Sequence, residues 1–280
     1  MTTQTIRAEA FAALHRRQTI FAIPNPWDAG SAKMLAALGF EALATTSAGL
    51  AFALGKPDAE GAVTRDETLA NARAIADATA LPVSADLENG FGDDPQACAE
   101  TIRLAAGAGV VGGSIEDATG SAAAPIYPFD QAVERVKAAV DAARSLPFPF
   151  MLTARCENFL NGIADLHDTI RRLEAFADAG ADVLFAPGLT SLADIGTVVK
   201  AVAPKPVNAL MGLAGKTMSL SALEDVGVRR VSVGSALARA AFGEFLRAAQ
   251  EIRQNGTFGF ANHALPYAEL NAMFARPRTG

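Results

Sequence analysis

With 280 residues, half of them hydrophobic and only 19% charged, the chain can fill a sizeable core and lacks the composition of a disordered protein. A formal net charge of −6 excludes a general nucleic-acid binder, whose affinity rests on a basic face. No apolar run reaches the length of a membrane span, and Arg7, Arg16 and Arg17 are not followed by the apolar core and cleavage site of an export signal. Cys98 and Cys156 define neither a disulfide framework nor a Cys-x-x-Cys site, so a cytoplasmic enzyme is expected.

Taken in order, Ile6, Phe11 and Leu14 suit a short first helix, and Thr19 to Ile23 reads as a first strand. From there the chain repeats itself. Segments 39–46, 109–116, 180–187 and 227–234 each open on a glycine that closes a helix and run into an apolar strand. Glycine is expected there because the chain turns left-handed just past a helix C-terminus. Strands at 82–86, 149–153 and 206–210 open instead on proline, tolerated where no ladder donor is lost. Helical stretches at 28–38, 65–79, 95–106, 129–144, 164–179 and 235–253 lie between them, and Thr64 with Glu67 has the spacing of a capping box. About eight strands, each followed by a helix, predict an α/β fold, a (β/α)8 TIM-type barrel. With no linker, charge block or low-complexity stretch, residues 1–280 read as a single domain. The barrel takes 1–253, and 254–280 form an extra C-terminal helical segment that an ordinary barrel does not need.

The densest chemistry lies in Ser84-Ala-Asp-Leu-Glu-Asn-Gly-Phe-Gly92. Alternation along a strand puts Asp86 and Glu88 on one face, and two buried like charges are costly unless a cation compensates them. Counted from the opening glycines, Thr46 and Glu116 fall at the same step; counted from the prolines, so do Glu88 and Arg155. Barrel enzymes place their chemistry at strand C-termini, so Thr46, Asp86, Glu88, Glu116 and Arg155 should converge there, with Asp58 in the long loop after the second strand. Hard oxygen ligands suit Mg2+ or Mn2+, and Mg2+ usually keeps several waters. The Arg155 fork would grip a substrate carboxylate at two points, or else neutralise Glu157 or Glu116 in a salt bridge. Thr45 to Gly49 offers hydroxyls and N–H groups that could cradle a carboxylate or phosphate, or form a plain turn. Ser235 is expected to cap the eighth helix.

Other motifs point away from rival chemistries. Gly107-Ala-Gly-Val-Val-Gly112 matches a dinucleotide fingerprint as a string, but it leaves a helix and enters a strand, the reverse of what that motif requires. His15, His167 and His263 lie at no predicted strand C-terminus, which argues against a histidine-ligated zinc site or a serine–histidine triad. Both cysteines read as buried, inert thiols.

Pro24-Asn-Pro-Trp-Asp-Ala-Gly30, Thr45-Thr-Ser-Ala-Gly-Leu50, Leu54-Gly-Lys-Pro-Asp58, Asp86 to Gly92, Ile115-Glu-Asp117, Ala154-Arg-Cys-Glu157 and Ser235 to Arg239 together resemble the isocitrate lyase and phosphoenolpyruvate mutase superfamily over nearly the whole chain. The resemblance implies Mg2+ coordinated directly by Asp86 and largely through water by Asp58, Glu88 and Glu116. It further implies that Thr46, Ser47 and Ala48 bind the substrate carboxylate or phosphonate and that Arg155 clamps the other end. The family barrel exchanges its last helix between subunits, usually in a tetramer, so a homo-oligomer (dimer or tetramer) is expected, with 254–280 between subunits. The chain also departs from the family. Where its lyases carry a Lys-Lys/Arg-Cys-Gly-His stretch, and its mutases and hydrolases an asparagine-rich gating loop with a lysine, this chain has Ala118 to Tyr127 without Cys, Lys or His. The glutamate after strand six is replaced by Ala186-Pro-Gly188.

The expected activity is Mg2+-dependent C–C cleavage or decarboxylation of a small 2-oxo or 2-hydroxy dicarboxylate through an enolate, giving pyruvate or a relative. Tyr127, the titratable donor of the altered loop, is the candidate proton source. The alternatives are a phosphonopyruvate or phosphoenolpyruvate-type mutase or hydrolase, and a non-catalytic 2-oxo acid binding protein.

Overall fold

A computed structural model describes residues 2–58, 60–213 and 218–275. The chain opens with α1 (Thr3–Arg16), β1 (Phe21–Ile23), α2 (Ala29–Ala37), β2 (Leu43–Ala44), α3 (Ser47–Ala53), α4 (Arg65–Ala78) and β3 (Val83–Asp86). It continues through α5 (Pro95–Gly107), β4 (Gly112–Glu116), α6 (Phe129–Arg144), β5 (Met151–Arg155), α7 (Leu166–Asp178) and β6 (Val183–Phe185). The last part comprises α8 (Leu192–Ala201), β7 (Val207–Leu210), α9 (Leu220–Asp225), β8 (Arg230–Ser232), α10 (Ala236–Asn255) and α11 (Tyr267–Ala275).

The eight strands are parallel and run β1-β8-β7-β6-β5-β4-β3-β2 around one sheet. Between β1 and β2 the seam is drawn together by Ala44 N–H donating to Pro24 O at 3.1 Å. Asn25 stitches the same seam: its Nδ2 donates to Thr45 O, while its Oδ1 accepts from the N–H groups of Val233 and Gly234. The result is the nearly closed TIM barrel that the repeat predicts.

Local chemistry explains the element ends. The glycines that open the first strand type, Gly39, Gly109, Gly180 and Gly227, all have φ between 85° and 104°, a region costly for any residue with a Cβ. Thr64 and Glu67 form the reciprocal capping box of α4, and Asp28 with Ser31 forms another on α2. Ser235 makes no side-chain cap; Asn25 holds the segment that leads into the helix, accepting from the N–H groups of Val233 and Gly234. The short α3 is absent from the sequence expectation, because Thr45 to Gly49 reads equally as a turn; Thr46 Oγ1 caps it by accepting from Gly49 N–H.

α1 plugs the N-terminal end of the barrel. Phe11 is fully buried with Phe21, Ile23 and Val111, and Arg7 donates to the carbonyls of Ala76 and Thr79. At the other end of the chain, α11 lies on α2 of the same chain, with Lys33 Nζ donating to Phe274 O at 3.2 Å. The 20-residue α10 buries Ala238 alone among its residues. Phe245, Leu246, Phe258 and Tyr267 stay exposed along this region.

Candidate active site

Strand register brings the acids and Arg155 together. Glu116 pairs with Arg155 across β4 and β5, Asp86 pairs with Ser114 across β3 and β4, and Glu116 N–H donates to Glu88 O at 3.0 Å. Glu88, Glu116 and Arg155 therefore stand in one row at the strand C-termini. Strand alternation is not what places Glu88, since β3 ends at Asp86 and Glu88 sits in a turn at φ 49°.

Arg155 is the hub. Its Nη1 donates to Asp86 Oδ1 at 2.8 Å, its Nη2 lies 3.1 Å from Glu116 Oε2, and its Nε donates to Glu157 Oε1 at 2.8 Å. The salt-bridge alternative foreseen for Arg155 is thus realised with three carboxylates at once. Asp86 is held further by Ser47 N–H on Oδ2 and the Ser114 hydroxyl on Oδ1, while its own N–H donates to Thr45 Oγ1.

One guanidinium cannot neutralise this many acids. Burial works against a charged Asp86, but Arg155 and the N–H groups of Ser47 and Glu88 outweigh it and hold that carboxyl below its usual range. For Glu88 the balance falls the other way: burial, then Asp86 and Asp58, outweigh Arg155 and push it up to about 7. Burial raises Glu116 well above the carboxylate range and raises Glu157 too, despite the nearby Arg155. Burial also opposes a charged Arg155, yet Glu116, Glu157 and Asp86 keep it firmly protonated.

Above this cluster opens a cavity of about 1020 Å3, lined among others by Ser47, Asp58, Glu88, Glu116, Arg155 and Glu157. Asp86 lies beneath its floor, against Ser47 and Arg155. Thr46 is buried as the cap of α3, and Ala48 is not among the lining residues. The altered loop forms an ordered hairpin along one wall, closed by a bridge between Ala118 and Ile126 and by Thr119 N–H donating to Pro125 O. It presents the hydroxyl-bearing Thr119 and Ser121 to the cavity.

Tyr127 is not brought to the cavity with the others. Its hydroxyl donates to Asp93 Oδ1 at 2.6 Å, it is 97% buried, and burial together with Asp93 raises it to about 12. A phenol held that way is a poor proton source for the cavity.

Glu157 is the member of the cluster that the sequence reading left as a neutralising partner only. The two-residue spacing of Asp86 and Glu88 recurs in Arg155 and Glu157, a sequence cue to Glu157, although β5 ends at Arg155 and Glu157 lies beyond the strand. Asp117 fixes Glu157 in turn, accepting its N–H on Oδ1 at 2.8 Å while Oδ2 takes Arg172 Nη1.

Among the described residues, no three Asp, Glu, His or Cys side chains stand close enough to hold a metal ion directly. A hard cation that keeps several waters needs fewer direct ligands than that. The donor set fits one on chemistry: Asp58, Glu88, Glu116 and Glu157 line the cavity with hard carboxylate oxygens, and Asp86 lies against the same Arg155.

A parallel barrel with acids and an arginine at its strand C-termini is the frame of a barrel enzyme. Residues 11–253 match the family model described as phosphoenolpyruvate phosphomutase. A Burkholderia cenocepacia J2315 protein, provisionally assigned as a lyase/mutase, superposes with a TM-score of 0.95 at 61% identity, covering 98% of each chain. The probable 2-methylisocitrate lyase 1 of Corynebacterium glutamicum is 32% identical over 90% of this chain and 83% of its own. The 2,3-dimethylmalate lyase structure, a superfamily member, gives a TM-score of 0.85 at 27% identity over 98% and 95%. The chain belongs to the isocitrate lyase/phosphoenolpyruvate mutase superfamily.

Proposed function

We propose that this protein is a Mg2+-dependent C–C bond lyase or decarboxylase acting on a small 2-oxo or 2-hydroxy dicarboxylate and releasing pyruvate or a near relative. The observation that carries this reading is the charge balance at the barrel mouth, where Asp86, Glu88, Glu116 and Glu157 surround one guanidinium. Such a site accepts an anionic substrate only after a cation has offset its own charge. Asp86 would hold that Mg2+ (or Mn2+) directly, with Asp58, Glu88 and Glu116 acting through water. When bound, the metal supplies a Lewis acid for the negative charge that develops on the 2-oxo oxygen as the neighbouring C–C bond breaks.

The chain's own residues do the rest. Arg155 fixes the orientation of Asp86, Glu116 and Glu157 and is the cation at the strand ends that a substrate carboxylate would meet. Ser47 faces the cavity from the first turn of α3, and Thr46, Ser47 and Ala48 are proposed to take the other anionic group. Because the hairpin 118–126 carries no Cys, Lys or His, the group proposed to hold or move a proton at the cavity is Glu157, which lines it, accepts from Arg155 Nε and is raised by burial. Decarboxylation asks least of such a site, since CO2 leaves without general-acid help.

Two further readings each have an observation in their favour. The family model matched over residues 11–253 favours a phosphonopyruvate or phosphoenolpyruvate-type mutase or hydrolase using the same metal residues. The hairpin without a titratable donor favours a non-catalytic binder of 2-oxo acids. A Mg2+-dependent screen of 2-oxo and 2-hydroxy di- and tricarboxylates and of phosphonopyruvate, read by pyruvate release and, for phosphonopyruvate, also by phosphoenolpyruvate formation, separates the three. Turnover of a carboxylate supports the lyase, turnover of phosphonopyruvate alone supports the second reading, and thermal stabilisation without turnover supports the binder. Asp86→Ala is expected to abolish Mg2+-dependent turnover; full retention would overturn the metal assignment.

The proposed setting is a cytoplasmic homo-oligomer, a dimer or tetramer, of a single barrel domain whose segment 254–280 contacts a second subunit. No described helix is long and apolar enough to cross a membrane. Phe245 at 68% exposure, Phe258 at 65% and Tyr267 at 86% form the apolar surface that such a contact would cover. Sedimentation of the wild type against Phe245→Asp tests it, the variant being expected to shift toward monomer.

A further inference from the structure

Phe91 and Glu88 are the non-glycine residues at positive φ among those described, at 61° and 49°, and Gly90 between them stands at 81°. A left-handed non-glycine residue is costly and persists only where its surroundings impose it. Here the loop that follows β3 is gripped from behind by side chains that no part of the proposed chemistry uses. Arg135 of α6, 1% exposed, donates through Nη1 to Gly92 O and Asp93 O at 2.6 and 2.5 Å, and through Nη2 to Asn89 O. Its guanidinium lies 4.1 Å from the centroid of the Tyr127 ring. The Tyr127 hydroxyl donates to Asp93 and accepts from Asn89 Nδ2. Thr101 of α5 adds a hydrogen bond to Gly90 O at 2.9 Å, and a Cβ on Gly90 would fall 2.8 Å from Cys98 Sγ.

We infer that Arg135 and Tyr127 form a positioning clamp that presents Glu88 to the cation site and locks the 118–126 hairpin to the same loop. The inference rests on the metal reading above. Three backbone carbonyls converging on one buried guanidinium fix the path of residues 89–93, and Glu88 is the residue that enters this path. Tyr127 directly follows Ile126, whose bridge to Ala118 closes the hairpin, so its hydroxyl joins the hairpin wall of the cavity to the acid-bearing wall. Neither side chain touches a substrate in this scheme. Their effect passes through Glu88, as outer partners of metal sites act through the residues they orient.

The test measures Mn2+ binding by the EPR signal of free Mn2+, with no substrate present. Tyr127→Phe keeps the ring and its packing and removes only the hydroxyl; it is expected to weaken Mn2+ binding about 3- to 10-fold. Arg135→Lys keeps a charge but cannot span three carbonyls, and is expected to weaken binding about 10-fold or more. Arg230→Met, at the opposite end of the barrel, serves as the control: it should lower the melting temperature and leave Mn2+ affinity unchanged. Wild type that binds Mn2+ while both clamp variants bind equally well would overturn the clamp alone. Wild type that binds no Mn2+ would overturn the metal reading and the clamp's role with it. Loss of affinity in step with melting temperature across all three variants, the control included, would reduce the clamp to general structural support.

Discussion

Two buried arginines, at different levels of the barrel, stand in opposite electrostatic settings. Arg155, at the mouth, has three carboxylates within 3.1 Å. Arg230 of β8, inside the barrel, has neutral partners: Nε donates to Asn208 Oδ1 and Nη2 to Thr153 Oγ1, both at 2.9 Å, and Nη1 lies 3.3 Å from His15 Nε2. Burial without an acid pulls Arg230 down to about 9, which still leaves it charged at neutral pH. This fold can therefore bury an arginine using dipoles alone. The acids around Arg155 exceed what one buried cation demands, and that surplus is what makes the mouth a site rather than part of the scaffold.

The contrast breaks most sharply on Arg155→Met. Removing this cation leaves Asp86, Glu116 and Glu157 buried against one another, and unpairing a buried charge costs about 3–5 kcal/mol. In EDTA at neutral pH the unfolding free energy from urea titration should fall by an amount of that order, and Mg2+ in excess of the EDTA should restore part of it. A fall no larger than that of Arg230→Met would end the distinction between the two levels.

Arg230→Met is expected to cost less, about 1–3 kcal/mol, the range for buried acceptors left without their donor. Thr153 Oγ1 can turn, and Asn208 keeps its bond to Ser232. Mg2+-dependent stabilisation should match that of the wild type, because nothing at the mouth depends on this residue. A lost Mg2+ response in this variant would mean that the two levels are coupled through β5, which carries both Thr153 and Arg155.

The sequence made the barrel legible for a physical reason. Each glycine that ends a helix is forced by backbone sterics, so the repeat of four such glycines survives as a visible pattern, and strand C-termini can be counted from it. Counted from those glycines Thr46 and Glu116 fall at the same step, and counted from the strand-opening prolines Glu88 and Arg155 do; the structure sets Glu88, Glu116 and Arg155 in one row. The count fails where position is set by long-range contact. Glu88 is placed by a left-handed turn that Arg135 holds from α6, 47 positions along the chain from Glu88, and no local pattern announces that. Tyr127 is conspicuous in the sequence as the loop's titratable donor, but its hydroxyl is committed to donating a hydrogen bond to Asp93. Asn25 carries the barrel seam and the start of α10 through hydrogen bonds that neither spacing nor propensity encodes.

The smallest expected effect separates the two levels by pH. His15 is buried and neutral: Nδ1–H donates to Phe11 O at 2.8 Å, and Nε2 accepts from Arg230. Burial, and then the Arg230 charge, lower it to about 3 from an ordinary 6.5. Between those two values the unfolded chain binds a proton that the folded protein refuses, so His15's contribution is complete above pH 6.5 and is lost as pH falls toward 3. The slope approaches about 1.4 kcal/mol per pH unit once the pH is well below 6.5. Glu88, raised to about 7, titrates in the opposite sense in metal-free protein, taking up a proton on folding between its ordinary range and 7. The difference between wild type and His15→Gln cancels Glu88 and isolates the histidine. Urea midpoints from pH 7 to pH 5 should fall more steeply in the wild type than in His15→Gln, with Arg230→Met between the two, because removing that charge leaves His15 burdened by burial alone. Parallel curves for all three proteins would show that His15 takes up its proton in the folded protein as readily as in the unfolded chain, and would overturn its assignment as a buried neutral partner of Arg230.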